Sequence, residues 1–168
     1  MQRTLVVMRH AKAEQSGPTD FERALAERGR RDAAEAGSWL VDRRVTPDHA
    51  LVSAALRTRQ TWDALAAGAG WELEPELDRG LYAADPESVY DVVRLTSDDV
   101  TSLVVLGHNP TMAVVAQLLD DGTGDPAAVT AMAGDFPTAA VAVFGYDGSW
   151  TDLGEGTARL TAYHVGRG

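Results

Sequence analysis

The sequence predicts an α/β fold, a three-layer α/β/α sandwich with a mostly parallel central sheet. Two observations carry that expectation. Short apolar runs alternate with longer amphipathic stretches along the 168 residues, the order expected of βα units whose strands are buried on both faces. Histidines and arginines then recur directly after those runs, and an open α/β sheet collects its ligands beyond the carboxyl ends of its strands. A single domain over 1–168 is expected: the length suits one core, 45% of the residues are hydrophobic, and no repeat, low-complexity tract or linker interrupts the chain.

The elements follow in order. Residues 4–8 form the first apolar run and read as a strand. Leu25, Gly29, Ala33, Ala36 and Leu40 recur at helical spacing, so a helix lies between 19 and 43. Thr19 and Glu22 offer a capping box, but the periodicity is clean only from Leu25, which favours the later start. Pro47 and Asp48 mark a turn before a second strand at 50–53 and a second helix at 56–67, ended by Gly68 and Gly70. Alternation over 71–77 suggests an edge strand, 86–95 a short helix, and 102–106 the most strongly apolar strand. A helix over 110–119 has Pro110 in its first turn. The Gly- and Asp-rich stretch 120–126 reads as loop. Three β-like runs close the chain at 139–144, 150–153 and 159–164, the first two joined by a hairpin connection at 145–149.

Charge and composition narrow the function. Fifteen Lys and Arg against 25 Asp and Glu give a formal charge of -10, which repels nucleic acid and anionic membrane. The absence of cysteine excludes disulfides, thiolate catalysis and Cys-based zinc sites. The N-terminal apolar run is too short for a signal-peptide core, and no segment approaches a membrane span, so a cytoplasmic protein is expected.

Three segments share one topological position. Arg9-His10 ends the first strand, Ser53 to Arg57 joins the second strand to its helix, and Gly107-His108-Asn109-Pro110 leaves the strand at 102–106. Any one of these side chains alone could be a structural histidine or a solvated arginine. Together they place two imidazoles and two guanidiniums in one crevice of an acidic protein, a local positive site suited to an anion. Phosphate fits best, because Arg presents a planar fork of donors and a helix start behind Asn109 adds backbone N–H groups. Arg9, Arg57 and His108 can then balance a dianion while neutral His10 attacks phosphorus.

These segments resemble the histidine phosphatase superfamily, the phosphoglycerate mutase-like fold. Leu5-Val6-Val7-Met8-Arg9-His10-Ala11 is similar to its Arg-His-Gly signature, with Ala11 in place of glycine. The stretch Leu51 to Thr61 resembles its second phosphate-binding segment, and Val105-Leu106-Gly107-His108-Asn109-Pro110 its second-histidine segment. Within the superfamily the likeness is to short SixA-type phosphohistidine phosphatases, through Arg9 to Glu14, Asp20 to Leu25, Glu27-Arg28-Gly29 and Leu81-Tyr82. The resemblance implies His10 as the phosphorylated nucleophile and Arg9, Arg57 and His108 as holders of the phosphoryl group. It also implies no metal or organic cofactor, a phosphorylated protein or small phosphorylated molecule as substrate, and inorganic phosphate as product.

One departure bears on the substrate. Longer members carry a general acid after their third strand, but Glu76 to Tyr82 has no acid in that register. Asp78 or Glu76 could substitute, or be solvated. Without an acid an alkoxide leaves poorly, whereas a phosphorylated imidazole leaves as a stable nitrogen base, so N–P substrates are favoured. A phosphomonoesterase acting on small molecules or phosphoproteins is the alternative, and a phosphate-binding module without turnover a further one. Lys12 and Glu14 either contact substrate or form an exposed loop pair; Asp20 and Arg23 either anchor a lid or are surface charges. His49 and His164 are expected to be structural, and the four tryptophans to pack in the core or at edges.

Overall fold

A computed structural model describes residues 1–168. The strands are β1 (Gln2–Arg9), β2 (His49–Ser53), β3 (Glu76–Asp78), β4 (Ser102–Gly107), β5 (Ala140–Asp147) and β6 (Arg159–Val165). The helices are α1 (Glu27–Asp42), α2 (Leu56–Ala69), α3 (Pro86–Arg94), α4 (Thr111–Leu119) and α5 (Pro126–Gly134). One six-stranded sheet has the order β3-β2-β4-β1-β5-β6. The first four of these strands are mutually parallel, while β5 runs antiparallel to β1 and β6 antiparallel to β5. The sheet is therefore mixed at one side only.

The pleat divides the core. Leu5, Val7, Leu103, Val105, Ala142 and Phe144 face α3, α4 and α5, whose Tyr90, Met112 and Met132 cover them. Val6, Met8, Val52, Val104, Leu106 and Val141 face the other way, onto Ala33, Leu40, Trp62 and Leu65 of α1 and α2. Strands buried on both faces explain why β1 and β4 read as unbroken apolar runs rather than alternating ones. Register then sets the site: Arg9 pairs with Gly107, and Val52 with Leu106, so His10, Ser53 and His108 emerge together at the carboxyl end of the sheet.

Several elements differ from the sequence expectation. α1 begins at Glu27, in keeping with the later of the two possible starts, while Thr19 donates to the Glu22 side chain at 3.0 Å in the preceding loop without capping a helix. α2 runs through Gly68 to Ala69, with Gly70 closing it at φ 73°. Gly68 is there for packing: a Cβ on it would lie 2.1 Å from the Ala34 carbonyl oxygen of α1, just as one on Gly37 would lie 2.1 Å from that of Leu65. The reciprocal pair lets the two helices touch backbone to backbone. Only Glu76–Asp78 of the expected 71–77 strand pairs with β2, because Trp71 folds back on α2, its N–H donating to Ala66. Residues 150–153 are not a strand. Trp150–Asp152 forms a 3₁₀ turn whose indole is fully buried and donates to the Val100 carbonyl at 2.9 Å. β5 consequently pairs with β6, across a longer connection than the expected hairpin. α5 had no counterpart in the sequence pattern: its small residues bury only Ala128 and Met132, and Asp125 caps it by accepting from Ala128 N–H at 2.9 Å.

Candidate phosphate-binding site

β1 delivers Arg9 and His10 to the crevice. The chain beyond β1 is held on both sides, His10 N–H donating to Gly107 at 3.0 Å and Ala139 N–H donating to His10 at 3.0 Å. Ala11 N–H donates to the Thr61 hydroxyl at 3.1 Å, and that hydroxyl donates to the Arg57 carbonyl at 2.7 Å. The turn carrying the first histidine is thereby tied to the helix carrying Arg57. On β2 the buried Ser53 ends the strand; its carbonyl accepts from Thr58 at 2.7 Å, and its Oγ lies 2.8 Å from Nε2 of His108.

These elements bring Arg9, His10, Arg57 and His108 to one cavity of about 280 Å³, which Lys12 and Arg23 also line. The two imidazoles lie with ring centroids 5.3 Å apart. His10 uses Nδ1 on the Ala11 carbonyl at 2.7 Å, a contact that requires a proton on that nitrogen and leaves Nε2 with its lone pair. Arg9 Nε, Arg57 Nε and His108 Nδ1 are buried and have no hydrogen-bond partner within the protein. Buried polar atoms ordinarily find partners, and three unsatisfied ones beside a single cavity mark where an oxyanion would be gripped.

Electrostatics keep both rings neutral. Burial pushes His10 from 6.5 down to about 4; its bond to the Ala11 carbonyl opposes this, and the positive charges of Arg57, Arg9 and Arg23 reinforce it. Burial likewise pushes His108 down to about 3, aided by His10 and Arg57. Burial first, and the neighbouring cations second, therefore keep both rings neutral at neutral pH, the form in which an imidazole nitrogen carries a free lone pair.

The remaining sequence candidates are distributed unevenly. Lys12 lines the cavity. Asn109 also lines it, but both ends of its side chain are committed: the amide donates to Phe136 at 2.8 Å and the carbonyl accepts from Ala113 N–H at 3.2 Å. Glu76 and Asp78 are not brought to the cluster. Glu76 pairs with His49 at 2.9 Å, Asp78 accepts from Gly80 N–H at 2.6 Å, and both line a separate hollow with His49. His164 stacks on Trp39, ring centroids 4.7 Å apart, and bonds Glu35 at 2.7 Å, a structural role.

Sequence reasoning undervalued three residues. Arg23, which the sequence alone allows as a lid anchor or a surface charge, lines the cavity, and its Nε donates to Asp20 at 3.0 Å. Asp20 in turn accepts from Arg57 and from the Tyr82 hydroxyl. In the sequence Ser53 stands out only as part of the segment that ends at Arg57. Its signal was a polar residue closing an apolar strand four positions before Arg57, but the hydroxyl's partner lies 55 residues away on another loop.

A doubly covered sheet with a histidine- and arginine-lined anion cavity at its carboxyl edge defines an enzyme class that handles phosphate. The sequence pattern of the histidine phosphatase superfamily (branch 1) matches residues 5–85, a span that holds Arg9, His10 and Arg57. An uncharacterized protein of Mycobacterium tuberculosis is 39% identical over 162 residues, covering 95% of this chain and 100% of that protein. Among solved structures, a protein provisionally named phosphohistidine phosphatase SixA from Nakamurella multipartitia superposes with a TM-score of 0.86 at 30% identity, covering 99% of this chain and 97% of its own. A similarly named protein from Agrobacterium tumefaciens gives 0.79 at 28%, with 97% of each chain covered. The chain belongs to the histidine phosphatase superfamily, with a SixA-like, phosphoglycerate mutase-like fold, and is by family a phosphatase.

Proposed function

We propose that this protein hydrolyses phosphohistidine in phosphorylated proteins through a phosphorylated His10. His10 Nε2 attacks phosphorus while the bond from phosphorus to the substrate imidazole breaks. With a proton on its distal nitrogen, that imidazole departs as a neutral ring. Water then attacks the phosphorus, the bond to Nε2 breaks, and inorganic phosphate leaves with His10 restored. Arg9, Arg57 and His108 stabilise the equatorial oxygens through Nε and Nδ1 donors. Ser53 Oγ, 2.8 Å from Nε2, holds the His108 ring in place; with that hydroxyl as the donor, the ring proton sits on Nδ1 and is free for the phosphoryl group. Lys12 adds charge at the rim.

The observation that carries this reading is that no carboxyl group lines the cavity. Asp20 is bonded to two of the cavity's arginines, but the Tyr82 hydroxyl, ahead of Arg57 and Arg23, holds it down at about 2, so it is ionised at neutral pH and has no proton to give. An alcohol leaving group needs that proton; a protonated phosphoimidazole does not. The separations of Glu76 and Asp78 from the cluster point the same way.

Steady-state rates on a phosphohistidine carrier, a sugar phosphate and an aryl phosphate test the substrate. We expect the largest kcat/KM on phosphohistidine, and a preference for the sugar phosphate would overturn the assignment. Brief mixing with labelled phosphohistidine should leave acid-labile, base-stable label on wild type and none on His10→Ala. Phosphate binding without label would instead identify a docking module.

A further inference from the structure

We propose that Asp20 is a positioning residue for the phosphate site, holding one edge of the Arg57 guanidinium so that the other edge is presented to the phosphoryl group. The inference rests on the reading of the cavity as a phosphate site. A guanidinium offers two bidentate edges, an end-on pair formed by its two Nη atoms and a side-on pair formed by Nε and Nη2. Arg57 Nη1 donates to the Asp20 carbonyl at 2.7 Å, and Nη2 donates to Asp20 Oδ2 at 3.2 Å. The end-on edge is thus occupied by one residue. What remains is Nε–H, buried and without a partner, beside the second hydrogen of Nη2: the side-on fork.

Asp20 itself is fixed from several directions. Its Oδ1 accepts from Arg23 Nε at 3.0 Å, and its Oδ2 from the Tyr82 hydroxyl at 2.5 Å. The following residues are fastened to α2, with Leu56 N–H donating to Phe21 at 3.0 Å and Leu25 N–H donating to Gln60 Oε1 at 2.7 Å. The Tyr82 ring meets Phe21 edge to face at 5.0 Å and His108 at 5.5 Å. One carboxylate therefore links two arginines of the cavity to the tyrosine that borders the second histidine. The Asp20 side chain is 56% exposed, so as a plain surface ion pair it would contribute little to stability. Three bonds converge on this carboxylate and a fourth on the backbone carbonyl of the same residue, with orientation as their main consequence.

A double-mutant cycle on inorganic phosphate binding, measured by calorimetry, tests this, with steady-state constants alongside. Asp20→Ala should weaken phosphate binding and raise KM by about tenfold, the scale of one displaced charge-assisted contact, with kcat less affected and the unfolding midpoint little changed. In an Arg57→Ala background the same substitution should have a much smaller effect on phosphate binding, leaving only what it does through Arg23. Asp20→Asn keeps an oxygen for Arg57 and Tyr82 and should recover most of the lost affinity. The proposal is overturned if Asp20→Ala binds phosphate like wild type, if its effect is undiminished without Arg57, or if Asp20→Asn is as impaired as Asp20→Ala. Wild type that binds phosphate yet leaves phosphohistidine intact would refute the functional reading and leave the cycle interpretable.

Discussion

Acidification should destabilise this protein through its two site histidines before its carboxylates protonate. Burial, reinforced by neighbouring positive charge, lowers His10 from 6.5 to about 4 and His108 to about 3. Between those values and 6.5 the unfolded chain binds a proton at each ring and the native chain does not. Stability therefore falls as pH falls through that window, and the contribution is fully present above pH 6.5. Each histidine costs about 1.4 kcal/mol per pH unit there, so His10 alone accounts for about 3 kcal/mol by the time its native ring protonates. That is a large share of the roughly 5 to 15 kcal/mol that stabilises an ordinary domain. Urea unfolding followed by tryptophan fluorescence at about pH 7, 6 and 5 would measure it, in wild type and in His10→Asn. The wild type should lose stability more steeply, by close to one proton's worth of slope. Equal slopes would mean that the native imidazole titrates normally, and the claim that the cavity keeps His10 neutral would fail.

Two further substitutions probe the scaffold. Ser53→Ala removes the hydroxyl 2.8 Å from His108 Nε2; with the ring no longer held from that side, kcat/KM should fall by about tenfold, the scale of one hydrogen bond, and an unchanged value would remove Ser53 from the catalytic account. Gly68→Ala puts a methyl 2.1 Å from the Ala34 carbonyl oxygen, forcing α1 and α2 apart at a cost of about 1 to 3 kcal/mol. Thermal denaturation should show a clearly lowered midpoint, and a midpoint equal to that of wild type would refute the close-contact explanation.

What the sequence reveals depends on how local the determining physics is. β1, β4 and α4 are legible because burial on two faces, or an apolar stretch that follows a proline, is written in consecutive residues. The His10, Arg57 and His108 cluster is legible because every member follows a strand in a parallel sheet, so topology alone gathers them. α5 is not, since its alanines carry no periodic contrast. Trp150 reads as strand by its neighbours, but its indole bonds a carbonyl 50 residues away, and that long-range contact decides the turn. The same applies to Asp20. As sequence, it is one acid near one arginine; only the folded chain sets it against Arg57 and Tyr82, 37 and 62 residues away.

The charge distribution separates the two substrate classes by their response to salt. The protein carries a formal charge of -10 overall, yet its cavity is lined by Arg9, Lys12, Arg23 and Arg57 and by no carboxyl group. A small phosphate dianion inside the cavity is closer to those cations than to the acidic surface, and its binding weakens as salt screens the local attraction. An acidic phosphoprotein cannot approach without bringing its own surface within about 10 Å of the negative exterior, the screening length near 0.1 M salt. Its encounter is opposed by net repulsion, which salt relieves. Raising salt from about 0.02 to 0.2 M should therefore lower kcat/KM for an aryl phosphate and raise it for an acidic phosphohistidine carrier. If both fall in parallel, the carrier meets a basic surface rather than the global field, and the rim at Lys12 and Arg23 must extend further over the protein than the cavity itself.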